Sequence, residues 1–368
     1  MAARPGAVED LLTPDAGFWR NKRVFLTGHT GFKGTWLALW LTRFGARVRG
    51  YSLPPDRSDN LSLTTHLAAH IDSVFGDIRD ATALDAAMAD FVPDIVLHLA
   101  AQALVQTAYR DPVETFDVNV TGTIRVLEAV RRCPTVRAVV VVTTDKCYEN
   151  REWVWPYRES EALGGRDPYS ASKACAELAV AAWRASFFEG TAVALATARA
   201  GNVIGGGDWA ANRLIPDCIR AMQAGLPIEV RSPHATRPWQ HVLDPLRGYL
   251  MLAERLWIDG PAVAEAWNFG PSLVDVKPVS TVVDEVTRLW GDDASWQPIG
   301  PQGGHEAARL AVDAAKAQTR LAWTPRLPLR TALEWTVAWY KRNQAGDDAL
   351  ALVLEEIARY EGLGNARP

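Results

Sequence analysis

Cysteine and methionine are scarce, at four residues each in a chain of 368. Cys133, Cys147, Cys175 and Cys218 are too widely spaced for CxxC metal or dithiol chemistry, so buried thiols in a reducing compartment are expected. No run approaches the ~18 uninterrupted apolar residues of a membrane-spanning helix. Residues 1–17 contain Arg4 but no apolar core, so they read as a loose extension and not as a secretory signal. A cytoplasmic protein is expected. Neither sign of charge dominates: 39 Lys+Arg against 43 Asp+Glu leave −4, which excludes a basic nucleic-acid-binding surface. Tryptophan, by contrast, is plentiful. Of 15, only Trp19, Trp36 and Trp40 precede residue 152, so the second half carries most of the flat aromatic surface.

Short β-branched runs alternate with helix-length patterns over the first two hundred residues. Lys22–Gly28, Arg47–Ser52, Ser73–Asp77, Asp94–Ala100, Ala138–Thr144 and Ala192–Ala198 read as strands, several without polar alternation, as parallel strands covered on both faces require. Thr35–Phe44, Val113–Arg132 and Ser170–Phe188 read as helices. This alternation predicts an α/β fold with a Rossmann-type doubly wound parallel sheet over residues 20–198. After Gly201 prolines punctuate shorter elements, and a smaller α/β substrate lobe is expected over 199–360, with segments that can return to the first domain. Helices are expected at Asp244–Ile258, from about Pro278, at Leu329–Asn343 and at Asp348–Tyr360.

Two constellations carry chemistry. The first strand runs into Gly28-His29-Thr30-Gly31-Phe32-Lys33-Gly34 and then a helix. Glycines there permit a tight turn and close backbone approach to a pyrophosphate, which the helix N-terminus attracts. Tyr169-Ser170-Ala171-Ser172-Lys173 follows Asp167-Pro168, a helix start, so Tyr169 and Lys173 share one face and a lysine ammonium can favour a phenolate base. The second strand lacks the ribose-binding acid that NAD folds usually place there. Arg49 and Arg57 lie nearby instead, so NAD and NADP both remain open from this strand.

Together these motifs resemble the extended short-chain dehydrogenase/reductase family, whose members act on nucleotide sugars. The resemblance covers about Lys22 to Tyr340. It implies that Gly28, Thr30, Gly31, Phe32, Lys33, Gly34, Asp77, Ile78, Leu99, Ala100, Ala101 and Thr143, with Tyr169 and Lys173, surround NAD, and that Asp77 meets the adenine amino group. The run Thr144-Asp145-Lys146-Cys147-Tyr148, with Arg199–Trp209 and Arg237–Val242, is similar to the 4,6-dehydratase branch that takes CDP-linked sugars. There Thr144, Asp145, Lys146, Tyr169 and Lys173 would be catalytic, with Asp145 the acid at O6. Two readings of Lys146 stand: a neutral base at C5, or a charged clamp on the enolate oxygen. Gln102, Asn119, Asn202, Arg213, Arg237 and His241 are the candidate substrate ligands, with His305 weaker, and no metal is expected. A nucleotide-sugar 4-epimerase, a dehydratase of another nucleotide sugar and a non-catalytic cofactor-binding scaffold are the competing readings. The resemblance also implies a homodimer or homotetramer paired through Val113–Arg132 and Ser170–Phe188. Trp153, Trp155, Trp209 and Trp239 are the tryptophans expected near a ligand; packing is the default for the others.

Overall fold

The computed structural model describes residues 13–291, 294–300 and 307–364. Its first six strands are β1 (Arg23–Thr27), β2 (Arg47–Ser52), β3 (Asp72–Phe75), β4 (Ile95–His98), β5 (Ala138–Val142) and β6 (Ala194–Ala200). The chain then forms β7 (Asn202–Ile204), β8 (Ile228–Val230), β9 (Thr236–His241), β10 (Ala266–Phe269), β11 (Val276–Pro278) and β12 (Trp296–Pro298). Seven of these make one parallel sheet in the order β10-β6-β5-β4-β1-β2-β3. Every residue of β5 and β6 is buried, because helices cover both faces, and that is why their sequences run apolar without alternation. Each of the six early runs expected to be a strand takes its place in this sheet. The direction of winding reverses between β1 and β4, and the crevice at that reversal is where doubly wound sheets bind ligands.

Three elements aim groups at this crevice. The turn after β1 feeds the helix Phe32–Arg43 directly, and its N-cap is Gly31, which offers no capping side chain. The expected helix over 113–132 is interrupted at Asp117–Gly122 by a π-helical turn. Such a turn re-aims its side chains and here it turns Asn119 inward. The helix Pro168–Trp183 starts as expected, with Pro168 in its first turn and the Asp167 carboxylate accepting from the Ser170 amide at 2.9 Å.

The second lobe contains the sheet β11-β9-β7, the pair β12-β8 and the helices Leu243–Asp259 and Leu329–Gln344. It shares one apolar core with the inner face of the large sheet, where Trp36 and Trp40 meet Trp239, Trp335 and Trp339. The indole N–H of Trp36 donates to Gly206 O at 3.0 Å, stitching the glycine-loop helix to the second lobe. At the N-terminal side, residues 15–17 are docked and not loose. Asp15 caps the short helix Ala16–Trp19, and its amide and the Trp19 indole both donate to the buried Glu254 carboxyl, at 2.8 and 2.5 Å. Among the described residues no helix is long and apolar enough to cross a membrane.

Candidate active site

A cavity of about 640 Å³ opens at the C-terminal ends of β5 and β6, between the large sheet and the second lobe. Thr144, Asp145, Lys146, Tyr169 and Lys173 all line it. Thr144 follows β5 and its hydroxyl donates to the Asp145 carboxyl at 3.1 Å. It also bonds the Tyr169 phenol and favours the phenolate, as does the charge of Arg213; burial works the other way and pushes Tyr169 up to about 12. Lys173 lies one turn further along the same helix, its ammonium on Val142 O at 3.2 Å, and burial brings its pKa down to about 8.

Asp145 is buried, with its carboxyl driven up by desolvation against the opposing charge of Lys146. Its Oδ2 has no hydrogen-bond partner among the described residues. Gly201 stands beside that oxygen, where a Cβ would come within 3.0 Å. The result is a buried carboxyl beside the cavity, raised towards its protonated form and with one oxygen that no described residue claims.

Below this cluster lies a polar layer that motif reading passed over. Glu177, one turn beyond Lys173, accepts from Thr143 Oγ1 at 2.5 Å, Thr197 Oγ1 at 2.8 Å and two nitrogens of Arg199 at 2.9 and 2.8 Å. Arg199 continues to the Tyr148 hydroxyl at 2.9 Å. A glutamate and an arginine at positions where a helix and a strand face the core were the available signal, since buried charges occur in pairs.

The glycine turn fits a dinucleotide. Gly28 has φ +78° and a Cβ there would lie 2.7 Å from Ala100 N, while one on Gly34 would lie 2.0 Å from Gly28 O. Only glycine lets the backbone come so close, and the Gly31-capped helix points its amides at the gap. Thr30 Oγ1 bonds Ser52 Oγ at 2.7 Å, and Asp77 and Ile78 follow β3. Phe32 and Lys33 open the helix, and Leu99, Ala101 and the Lys33 side chain reach the cavity, where burial and the charges of Arg213 and Lys173 bring Lys33 down to about 7. Arg49 is engaged elsewhere: it pairs with Asp72 and Asp90, both at 2.6 Å, and Arg57 pairs with Asp59 at 2.6 Å. Neither arginine is held ready for a 2′-phosphate.

Of the expected substrate ligands, Asn202, Arg213 and Arg237 line the cavity, and Arg213 is paired with Asp208 at 3.1 Å. Three others are turned into the protein. Asn119 clasps Gln102, accepting from its amide at 2.9 Å and donating to its carbonyl at 3.0 Å, while the Gln102 side chain holds Thr115 at 2.8 Å. His241 is fully buried between Trp36 and Trp335, 3.4 Å from Glu356. Polar residues inside a motif pack as readily as they bind, and these three pack. His305 lies outside the described residues. Among the tryptophans expected near a ligand, only Trp239 lines the cavity. Trp153 stacks on Tyr157 at 5.4 Å, Trp155 is exposed, and Trp209 packs edge-on against Tyr340.

Comparison with known proteins agrees with this geometry. A family model described as GDP-mannose 4,6 dehydratase matches residues 25–336. The CDP-glucose 4,6-dehydratase of Salmonella typhimurium is 50% identical over 351 residues, covering 94% of this chain and 98% of the relative. The dTDP-glucose 4,6-dehydratase of Neisseria gonorrhoeae is 28% identical over 88% of this chain and 97% of its own length. Among solved structures, DesIV, a dTDP-glucose 4,6-dehydratase from Streptomyces venezuelae with NAD bound, superposes with a TM-score of 0.75 at 24% identity, covering 89% of this chain and 99% of that one. The UDP-glucuronic acid 4-epimerase of Bacillus cereus, in complex with UDP-glucuronic acid and NAD, gives 0.76 at 20% identity over 87% and 99%.

Proposed function

The chain belongs to the GDP-mannose 4,6 dehydratase family, and from that premise we propose that it is an NAD-dependent CDP-glucose 4,6-dehydratase, a hydro-lyase forming CDP-4-dehydro-6-deoxyglucose and water. The observation that carries this reading is the buried Asp145 carboxyl, one oxygen of which no described residue claims, within the Thr144–Tyr169–Lys173 cluster. Epimerisation at C4 needs no such acid; elimination across C5 and C6 does.

NAD would be held by the Gly28–Gly34 turn and the helix it caps, and would supply reversible hydride transfer, out of sugar C4 and back to C6. The protein's own groups handle the protons. Tyr169 removes the O4 proton, with Thr144 and Arg213 favouring its phenolate. The 4-ketone acidifies the C5 hydrogen, and Lys146, which lines the cavity, is the candidate base. Asp145, whose carboxyl burial raises, is the acid that gives a proton to O6 so that the hydroxyl leaves as water. Arg213 and Arg237 suit a diphosphate, which guanidinium forks grip in a bidentate way.

The test is incubation of the protein with CDP-, UDP-, dTDP- and GDP-glucose, followed by mass spectrometry. A product lighter by one water, formed from CDP-glucose in preference to the rest, is expected; a mass-neutral product overturns dehydration. Lys146→Met with C5-deuterated substrate tests the base. Solvent exchange at C5 that continues undiminished makes Lys146 a clamp instead.

The reading also gives a subunit pairing through helices 112–132 and 168–183, whose outer faces expose Val113, Phe116 and Leu178. Leu178→Glu in light scattering should reduce the particle to a monomer. Four free cysteines, three of them buried, suit a cytoplasmic setting.

A further inference from the structure

Beside the cavity lies a second hollow of about 520 Å³ whose lining does not include Thr144, Asp145, Tyr169 or Lys173. The two spaces share the walls made by Asn212, Asp217, Ile228, Glu229 and Arg231. With the sugar at the catalytic cluster and the diphosphate at Arg213 and Arg237, this shared stretch is left for the nucleobase. This placement rests on the nucleotide-sugar reading given above.

Asp217 is a fixed group on that wall. It stands in the first turn of the helix Leu214–Gln223 and pairs with Arg220 three residues on. Arg220 is itself tied to the main chain, at Trp209 O (3.0 Å) and Ala210 O (3.3 Å). Burial raises the Asp217 carboxyl, with the hydrogen bond and charge of Arg220 and the nearby charge of Arg231 working against it. The wall therefore presents a carboxyl held in an ion pair with Arg220, with the Arg231 guanidinium close by.

We propose that Asp217 reads the base: its carboxylate accepts from the exocyclic 4-amino group of cytosine, while Arg231 donates to the N3/O2 edge. Carboxylates are the natural partners of that amino group. Uracil has the same shape but carries a carbonyl oxygen at position 4, which would set acceptor against acceptor. CDP is selected over UDP at this one contact.

Calorimetric titration of wild type, Asp217→Asn and Glu229→Gln with CDP and with UDP tests the assignment. Wild type should prefer CDP. An asparagine can present either its oxygen or its amide nitrogen, so D217N should lower the CDP/UDP affinity ratio by about 10- to 100-fold. E229Q, which alters the exposed carboxylate on the same wall, should leave the ratio as it was. A D217N protein that keeps the wild-type ratio overturns the assignment and leaves the dehydratase reading intact. A wild type that binds both nucleotides equally overturns CDP selection and the assignment together. Should D217N not fold, Asp217→Ser is read in the same way.

Discussion

Replacing Glu177 with glutamine probes the layer beneath the catalytic cluster. The carboxylate is 4% exposed and takes four hydrogen bonds, two of them from an equally buried Arg199. Glutamine keeps the shape but turns an amide nitrogen towards one of these donors and leaves a guanidinium buried without its counter-charge. Removing one partner of a buried pair costs about 3–5 kcal/mol, roughly a fifth or more of the ~5–15 kcal/mol that holds a typical protein folded. Guanidinium unfolding should therefore move to a clearly lower midpoint. The effect also has a pH signature. Arg199 and the two threonines hold Glu177 below the usual carboxylate range. Its stabilisation is thus complete above the unfolded-state pKa and lost as pH falls through the lower folded value, so the deficit of E177Q should shrink in acid. A cycle with Arg199→Met separates the pair from the surrounding packing: the double variant should lose less than the sum of the single ones, by about 1–3 kcal/mol. Strict additivity, or a loss in E177Q below about 1 kcal/mol, would refute the reasoning. The functional consequence runs through Lys173, whose ammonium Glu177 supports from one turn away. In E177Q the lysine should titrate below its present value of about 8, and the pH profile of kcat should narrow on its alkaline side.

Other perturbations read other parts of the molecule. Burial pushes Glu254 up to about 8 against the Asp15 and Trp19 hydrogen bonds that favour its carboxylate, so its proton contributes folding stability that is complete below about 4.5 and lost as pH rises through about 8; the unfolding midpoint should fall above pH 8 in wild type and fall less in Glu254→Gln. Thr144→Val removes a bond that favours the Tyr169 phenolate, so the rising limb of the pH–kcat profile should move to higher pH, and activity at neutrality should drop about tenfold for each pH unit the limb moves. Gly206→Ala would put a methyl 2.1 Å from the Trp339 ring, an overpacking worth about 1–3 kcal/mol or more. Its Tm should fall by several degrees while Gly300→Ala, with open space around it, should change little.

The parallel sheet was legible because burial on both faces writes itself into sequence as unbroken apolar runs, and β5 and β6 are such runs. The strand β10 was not, being four residues, Ala-Trp-Asn-Phe, with a polar side chain in the middle. Asn268 is tolerated there because its amide is claimed on both sides, accepting from Tyr148 at 2.7 Å and donating to Tyr157 O at 2.9 Å. Those partners lie more than a hundred residues away. The π-helical turn was equally hidden, since a single residue added to a helical turn leaves the apolar period almost unchanged on both sides.

The same distinction governs the site. Tyr169, Lys173, Thr144 and Asp145 could be named from sequence because a helix and a strand end fix their relative positions locally. Whether a polar side chain turns inward or towards ligand is decided by partners the chain supplies from elsewhere. Asn119 and His241 sit in motifs as informative as those of Arg213 and Arg237, yet they are withdrawn into the protein by Gln102 and Ser172 in one case and by Glu356 and two tryptophans in the other. Arg49, a candidate for a 2′-phosphate by its position on β2, is taken by Asp72 and Asp90. A charged or polar residue near a site therefore reaches a ligand only where its partners leave it at the cavity wall, as Asp208 leaves Arg213, and Asn119 and His241 are held away from it.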